Sequence, residues 1–126
     1  MKKLKVAALL MCFVAFSFAM TSCQKAEDLI IGKWKLVKVV DNGRTYTEGE
    51  EIGSIWEFKA DNTLTMGMEY AGQSINVPGT YTIDGDKLTM TVYGEIQTMN
   101  IDKITKSKMI LSDPDKPEDT AEFEKQ

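Results

Sequence analysis

The thiol of Cys23 is the side chain with the clearest chemistry in this chain. It follows the small residues Thr21 and Ser22, whereas the second cysteine, Cys12, lies inside a long uncharged run. The 126-residue chain contains no histidine, the usual general base, and it has no glycine-rich phosphate loop. The sequence therefore predicts no enzymatic activity, no cofactor and no metal site of the His/Cys kind.

Two acidic segments are the other candidates for chemistry. Their carboxylates belong to Glu48, Glu50 and Glu51 in the first segment, and to Asp113, Asp115, Glu118 and Asp119 in the second. Carboxylate oxygens can bind Ca²⁺, but neither spacing is that of an EF-hand loop. We therefore interpret both segments as solvated loops and predict no metal site.

Residues 1–22 have the organisation of an export signal. Three lysines lie within the first five residues, and residues 6–19 are uncharged and mostly apolar. The strongly apolar part is shorter than the roughly 20 residues that a membrane-spanning helix needs. Small residues before Cys23 are typical of cleavage, so we predict a removed signal peptide; an uncleaved membrane anchor is the alternative.

Met20-Thr21-Ser22-Cys23 resembles the lipobox of bacterial lipoproteins. In that family the cysteine sulfur is diacylglycerylated, and after cleavage its amino group receives an acyl chain such as palmitate. The resemblance implies that Cys23 is the lipid attachment site and that a membrane is a partner. Two or more chains give a stable anchor. Met20 departs from the leucine that is commoner there, and loss of Cys12 leaves Cys23 without a disulfide partner.

Residues 23–29 are predicted to be the lipidated cysteine and a short polar tether. The acidic Gln24-Lys25-Ala26-Glu27-Asp28 stretch resembles the one that directs some Gram-negative lipoproteins to the outer face of the outer membrane; a solvated linker is the alternative. The expected location is the cell envelope, lipid-anchored at the outer membrane, with the leaflet left open.

Residues 30–126 suit one small domain. The net charge is −4, and removal of the three amino-terminal lysines changes it to −7. An acidic domain argues against nucleic acid, because that interaction neutralises phosphates with lysine and arginine. It also argues against a basic patch that binds anionic lipid.

Eight short strands are predicted after the tether. They alternate apolar and polar residues in period two and are separated by turn residues every eight to twelve positions, which is typical of an antiparallel sandwich or barrel. The predicted strands are 33–40, 53–60, 64–70, 79–84, 87–93, 96–104, 108–112 and 120–124.

Two consecutive hairpins can be aligned because apolar side chains must face one another. A two-residue loop at Gly85-Asp86 places Tyr81 opposite Met90. A two-residue loop at Gly94-Glu95 then places Met90 opposite Met99. One face of the sheet is consistently apolar in both hairpins.

A third hairpin turns around Asp61-Asn62. A loop of three or five residues places Phe58 opposite Met66 and Trp56 opposite Met68. The three-residue version puts Thr63 at a position that prefers positive φ, which a β-branched residue rarely adopts.

These registers predict the inward-facing residues, which are Trp56, Phe58, Leu64, Met66, Met68, Tyr70, Tyr81, Ile83, Leu88, Met90, Val92, Met99 and Ile101. Eight strands leave an interior that is either just filled or holds one small molecule, and both interpretations remain open. The candidate ligand-binding residues are Trp56, Phe58, Met66, Met68, Tyr70, Tyr81, Met90 and Met99. Gln97, expected opposite Val92, either lies inside such a cavity or reaches water at a strand end.

Gly32-Lys33-Trp34 resembles the Gly-x-Trp opening of lipocalins and lipocalin-like lipoprotein domains. The likeness extends through the 56–62 hairpin and residues 79–83. It implies a lipocalin-like up-and-down barrel with Trp34 at its closed end and an open mouth for a hydrophobic small molecule. The chain departs from secreted lipocalins in being shorter, in showing no carboxyl-terminal helix and in lacking a Thr-Asp-Tyr motif.

The sequence thus predicts an all-β, lipocalin-like barrel that is anchored to a membrane and binds or carries a small hydrophobic molecule. The alternative function is a packed barrel that docks a protein partner in the cell envelope, as an interaction or inhibitor module. An internal cavity favours the first function, and a filled interior with a contiguous exposed apolar patch favours the second.

Overall fold

The computed structural model describes residues 25–49 and 51–126, apart from the side chains of residues 68–70. Cys23, the lipobox and the predicted signal peptide lie outside the described residues. The described part forms one helical turn, α1 (Ala26–Leu29), and nine strands: β1 (Gly32–Asp41), β2 (Arg44–Tyr46), β3 (Ile55–Phe58), β4 (Thr63–Tyr70), β5 (Gln73–Asp84), β6 (Lys87–Val92), β7 (Glu95–Ile104), β8 (Lys108–Ser112) and β9 (Thr120–Lys125).

All strand pairs are antiparallel, and the sheet closes on itself. From β3 to β9 each strand pairs with the next, and β1 pairs with both β3 and β9. Eight strands therefore close a barrel, while β2 pairs with the far end of β1. This confirms the predicted all-β, up-and-down barrel.

Two strand segments differ from the prediction. β2 was not predicted. Its three residues are all exposed, so the strand has no alternation of buried apolar and exposed polar positions. β5 begins six residues before the predicted start at Gly79, because its first part pairs with β4. Pro78 is tolerated there since β6 ends at Val92, which leaves one edge of β5 open at that point.

The β5–β6 hairpin has the predicted register. Tyr81 lies opposite Met90, and Asp84 lies opposite Lys87 across the Gly85-Asp86 loop. Adjacent outward positions pair threonine with threonine, so one face of the hairpin is polar. The prediction for this hairpin is confirmed.

The predicted β6–β7 register is wrong by two residues. Met90 lies opposite Gln97 rather than Met99, and the loop is Tyr93-Gly94 rather than Gly94-Glu95. Both loop residues have positive φ, 53° at Tyr93 and 79° at Gly94, as a type I′ turn requires. A slip of two residues keeps every side chain on its face, so the polarity pattern alone does not detect it.

The β3–β4 register is also wrong by two residues. Phe58 lies opposite Leu64, and Trp56 lies opposite Met66 rather than Met68. The loop begins one residue earlier than predicted, which places Asn62 at the position with positive φ (70°). Asparagine tolerates that conformation better than a β-branched residue does.

Hydrogen bonds to Tyr81 of β5 hold this loop in place. The Tyr81 amide donates to the Asn62 carbonyl (2.9 Å), and the Asn62 side-chain amide donates to the Tyr81 carbonyl (3.3 Å). The loop is therefore fixed to the start of the β5–β6 hairpin by two hydrogen bonds.

Trp34 closes one end of the barrel, as the family resemblance implied. Its side chain is fully buried, and its indole N–H donates to the Ile30 carbonyl (2.8 Å). The Lys125 ammonium lies 4.5 Å from the centre of the Trp34 ring and donates to the Leu29 carbonyl (3.1 Å). Gly32 has φ of +132°, which other residues rarely adopt, and a Cβ at its position would also displace the end of the Lys125 side chain.

The segment predicted as a polar tether thus includes α1, which seats Ile30 in the core. Several core residues were not in the predicted inward set, because they follow α1 directly or belong to strands β1, β8 and β9. These fully or largely buried residues are Ile30, Trp34, Leu36, Met109, Leu111 and Phe123.

We expect Tyr93→Asn to stabilise the barrel by about 1 kcal/mol, because asparagine adopts positive φ at lower cost than tyrosine. The Tyr93 side chain is 81% exposed, so little packing is lost. Thermal unfolding should show a midpoint about 4–8 °C higher. Tyr93→Ala is the control that removes the ring and keeps the backbone cost, and an equal rise in both variants would contradict the explanation.

Candidate functional site

The two ends of the barrel differ in how they are filled. The end that carries α1 and the β3–β4, β5–β6 and β7–β8 turns is packed with side chains. The opposite end carries the connections from β1 to β3, from β4 to β5, from β6 to β7 and from β8 to β9. A cavity of about 450 Å³ opens at that second end, and we call it the mouth cavity.

The wall of the mouth cavity is mainly apolar. Its apolar lining residues are Leu36, Val39, Val40, Trp56, Met66, Met99, Ala121 and Phe123. Its polar and charged lining residues are Asp41, Glu51, Ser54, Gln97, Asp113, Asp119 and Thr120. The volume lies within the range of small-molecule pockets, about 300–1,000 Å³.

A chain of aromatic rings separates the mouth cavity from the packed end. The ring centres of Trp56 and Phe123 are 4.8 Å apart, and both rings line the cavity. Below them, Phe58 lies 6.4 Å from Trp56 and meets Tyr81 nearly edge to face at 5.1 Å. Such offset and edge contacts are the favourable arrangements for aromatic pairs. The barrel is therefore filled in one half and hollow in the other.

The predicted ligand-binding residues divide between these two halves. Trp56, Met66 and Met99 line the mouth cavity. Phe58, Tyr81 and Met90 are buried and are not among the lining residues. Met68 and Tyr70 belong to the backbone of β4, but their side chains lie outside the described part of the chain, as does all of Cys23.

Sequence reasoning missed the contribution of β1 and β9 to the cavity. Leu36 and Val39 come from β1, and Ala121 and Phe123 come from β9. Both strands alternate apolar and polar residues, and this alternation was the signal that they contribute apolar side chains to the interior. No hairpin joins them, however, so no turn fixed which of their faces points inward. Gln97 was predicted either to lie inside a cavity or to reach water at a strand end. It lines the cavity and is also exposed to solvent.

Hydrogen bonds hold the acidic segment between β8 and β9 against the turn after β1. One carboxylate oxygen of Asp119 accepts from the Asn42 amide (3.0 Å), and the other lies 3.6 Å from the Lys116 ammonium. Lys116 also donates to the Asn42 side chain. Asp113 accepts from the Asp115 amide (2.9 Å). These bonds shape one side of the cavity mouth.

Tyr81 ties the packed half to the β3–β4 loop. Its hydroxyl donates to the Lys59 carbonyl (2.7 Å). Burial raises the pKa of Tyr81 above its usual 10.0, and the nearby Asp61 carboxylate adds to the rise. The pKa of Asp61 is itself lowered, mainly because its carboxylate accepts a hydrogen bond from the Thr63 hydroxyl (2.6 Å).

The model of a family described as "Lipocalin-like domain" matches residues 30–111. This chain belongs to the lipocalin-like domain family. The match begins just before Gly32-Lys33-Trp34 and ends in β8, so it spans the packed end and most of the cavity wall. None of the curated proteins compared with the chain matches it.

Solved structures from Bacteroides have the same fold as this lipocalin-like chain. A lipocalin-like protein from Bacteroides uniformis has a TM-score of 0.66 at 14% identity, covering 78% of this chain and 99% of that one. An uncharacterized protein from Bacteroides eggerthii has a TM-score of 0.64 at 14% identity, covering 77% and 99%. At this identity the likeness shows the fold alone.

Other surface features of the lipocalin-like chain present fewer apolar side chains. A groove of about 670 Å³ lies between the β2–β3 connection and the β4–β5 hairpin. Tyr93 and Ile96, 81% and 72% exposed, lie at the end of the β6–β7 hairpin. Within the described ranges no group of three or more His, Cys, Asp or Glu residues is arranged to hold a metal ion. No helix in the described part is long and apolar enough to cross a membrane.

We expect Tyr81→Phe to destabilise the barrel by about 1 kcal/mol, because the Lys59 carbonyl loses its donor. The raised pKa means that folding favours the neutral phenol. The wild-type advantage is therefore complete below pH 10.0 and is lost as the pH rises through the raised pKa. Urea unfolding of both proteins across neutral and alkaline pH measures this, and an advantage that stays constant with pH would contradict it.

Proposed function

We propose that this protein is a membrane-anchored lipoprotein of the cell envelope whose lipocalin-like barrel binds a small hydrophobic molecule in the mouth cavity. The observation that carries the proposal is the half-hollow interior. A cavity of about 450 Å³ with a mainly apolar wall is more than a barrel needs if packing alone shapes it.

The floor of the cavity supports an apolar ligand. Trp56 is only partly buried and lines the cavity, with the fully buried Phe123 ring packed against it. Met66 and Met99 are also partly buried, and they are adaptable side chains that can fit a variable shape. Contact with a ligand removes this apolar surface from water, which stabilises by about 25 cal/mol per Å². The function proposed is therefore binding or carriage, with no catalytic step.

A protein-docking function has weaker support. The prediction from the sequence was that a docking function needs a filled interior and a contiguous exposed apolar patch. Tyr93 and Ile96 are exposed at one hairpin end, but two side chains make a small patch, and single exposed apolar residues are common. The mouth cavity brings together more apolar side chains than this patch does.

The anchor is proposed from the sequence. The run of apolar residues before Cys23 and its resemblance to a lipobox support lipid attachment at that residue, with the outer membrane as the proposed location. The first structural element, α1, begins at Ala26, three residues later, so an anchored barrel would lie close to its membrane.

Quenching of Trp56 tests ligand binding. The full-length chain in zwitterionic lipid nanodiscs is titrated with a medium-chain alcohol brominated at its terminal carbon, with empty nanodiscs as the blank. We expect saturable quenching with about one alcohol per chain, because the bromine reaches the cavity floor beside Trp56. In Trp56→Phe the remaining indole is Trp34, which is fully buried at the closed end, and the quenching should disappear.

A matched pair of substitutions tests whether the alcohol binds inside the barrel. Ala121→Phe adds a ring on the cavity wall and should weaken binding about tenfold or more by occupying the space. Thr82→Phe adds a ring at an exposed position on the outer face and should leave the affinity unchanged. Equal affinities in both variants would place the alcohol outside the cavity and reject the proposed function.

Labelling with radioactive palmitate in a Gram-negative host tests the anchor. We expect the wild-type chain to carry label and to sediment with membranes. Cys23→Ser should lose both properties, because the acceptor sulfur is removed. Cys12→Ser is the control and should keep both, since Cys12 belongs to the proposed signal peptide. Label that persists in Cys23→Ser would reject this attachment site.

A further inference from the structure

The charged side chains that line the mouth cavity are all acidic. Among the described lining residues, the charged ones are Asp41, Glu51, Asp113 and Asp119. They come from the end of β1, from the β2–β3 connection and from the β8–β9 connection. We call these four carboxylates the acidic rim.

One carboxylate of the acidic rim is partly neutralised. The Lys116 ammonium lies 3.6 Å from Asp119 and offsets part of that charge. Asp113 and Asp119 each also accept a backbone hydrogen bond, so both contribute to the shape of the loop. On the other side of the mouth, Asp41 lies opposite Arg44 in the β1–β2 pair, and Glu51 adds a further negative charge. Four carboxylates thus lie near two cationic side chains, Lys116 and Arg44, and the rim keeps a negative balance.

The acidic rim lies beside apolar walls. This combination determines which head group of a bound amphiphile is favoured at the mouth. Low-dielectric walls focus the field of nearby charges into a cleft. A fatty-acid carboxylate at the mouth would meet like charges, which disfavours its ionised form. A cationic group at the same place would be attracted by the rim while the apolar part of the molecule contacts Trp56 and Phe123.

We propose that the mouth cavity binds an amphiphile with a cationic head group, held at the acidic rim, and with an apolar body on the Trp56–Phe123 floor. This inference rests on the proposed function, because it names the class of ligand for the same cavity. It also excludes free fatty acids as preferred ligands.

A set of three probes tests the inference. The terminally brominated amine, alcohol and carboxylic acid of one chain length are titrated into the full-length chain in zwitterionic nanodiscs near neutral pH, and quenching of Trp56 is followed. We expect the amine to bind about tenfold more tightly than the alcohol, and the acid to bind most weakly, since several partly screened charges act together. Added salt should reduce these differences.

Two double variants locate the source of the preference. Asp41→Asn with Glu51→Gln removes two rim charges and should lower the amine affinity and raise the acid affinity, each relative to the alcohol affinity of the same variant. Asp84→Asn with Asp86→Asn removes the same charge at the closed end, where both residues are exposed, and should retain the preference. Because the alcohol is the reference within each variant, a change in cavity shape does not count as a change in charge preference.

The outcomes separate this inference from the proposed function. If the alcohol binds but the acid binds as tightly as the amine, the charge preference is overturned and the hydrophobic cavity stands. The same conclusion follows if both double variants reduce the preference equally, because overall charge would then be its cause. If none of the three probes quenches Trp56, the proposed function fails and this inference fails with it.

Discussion

The pairing of β1 with β9 is the constraint on which both ends of the barrel depend. β1 is hydrogen-bonded along one side to β9 and along the other to β3 near the closed end and to β2 near the mouth. Closure leaves the eight-stranded wall without a free edge. Because β3 has only four residues, the wall beside β1 is completed near the mouth by the β2–β3 connection, which contributes Ser54 and Glu51 to the cavity.

Close packing and open space occupy different halves of one interior. In the packed half, large side chains such as Trp34, Phe58 and Leu64 are almost fully buried, and each contributes about 1.5–3 kcal/mol by leaving water. In the mouth half, Trp56 and Met66 are only partly buried. The fold can therefore leave apolar surface uncovered at the mouth without losing the contacts that close the other end.

The sequence predicted the faces of the strands better than their partners. Alternation in period two assigned Tyr81, Met90 and Trp56 to the inside, but a slip of two residues preserves every face, so two hairpin registers were wrong. Positive φ at Asn62 and Gly94 suits those residues, whereas Tyr93 adopts it at a cost, so the turn residues did not by themselves indicate the β6–β7 loop. The division of the candidate site into packed and lining residues depends on closure between β1 and β9, which are distant in sequence and share no turn.

The helical turn α1 is attached to the closed end through Ile30, in the core, and through the contact of Lys125 with Leu29. Residues 23–25 span about 10 Å when extended. With a lipid on Cys23, the barrel would therefore stand base-down on its bilayer with the mouth pointing outward. Molecules dissolved in that bilayer would meet the sealed base, so cargo would have to arrive through the surrounding water or from another carrier.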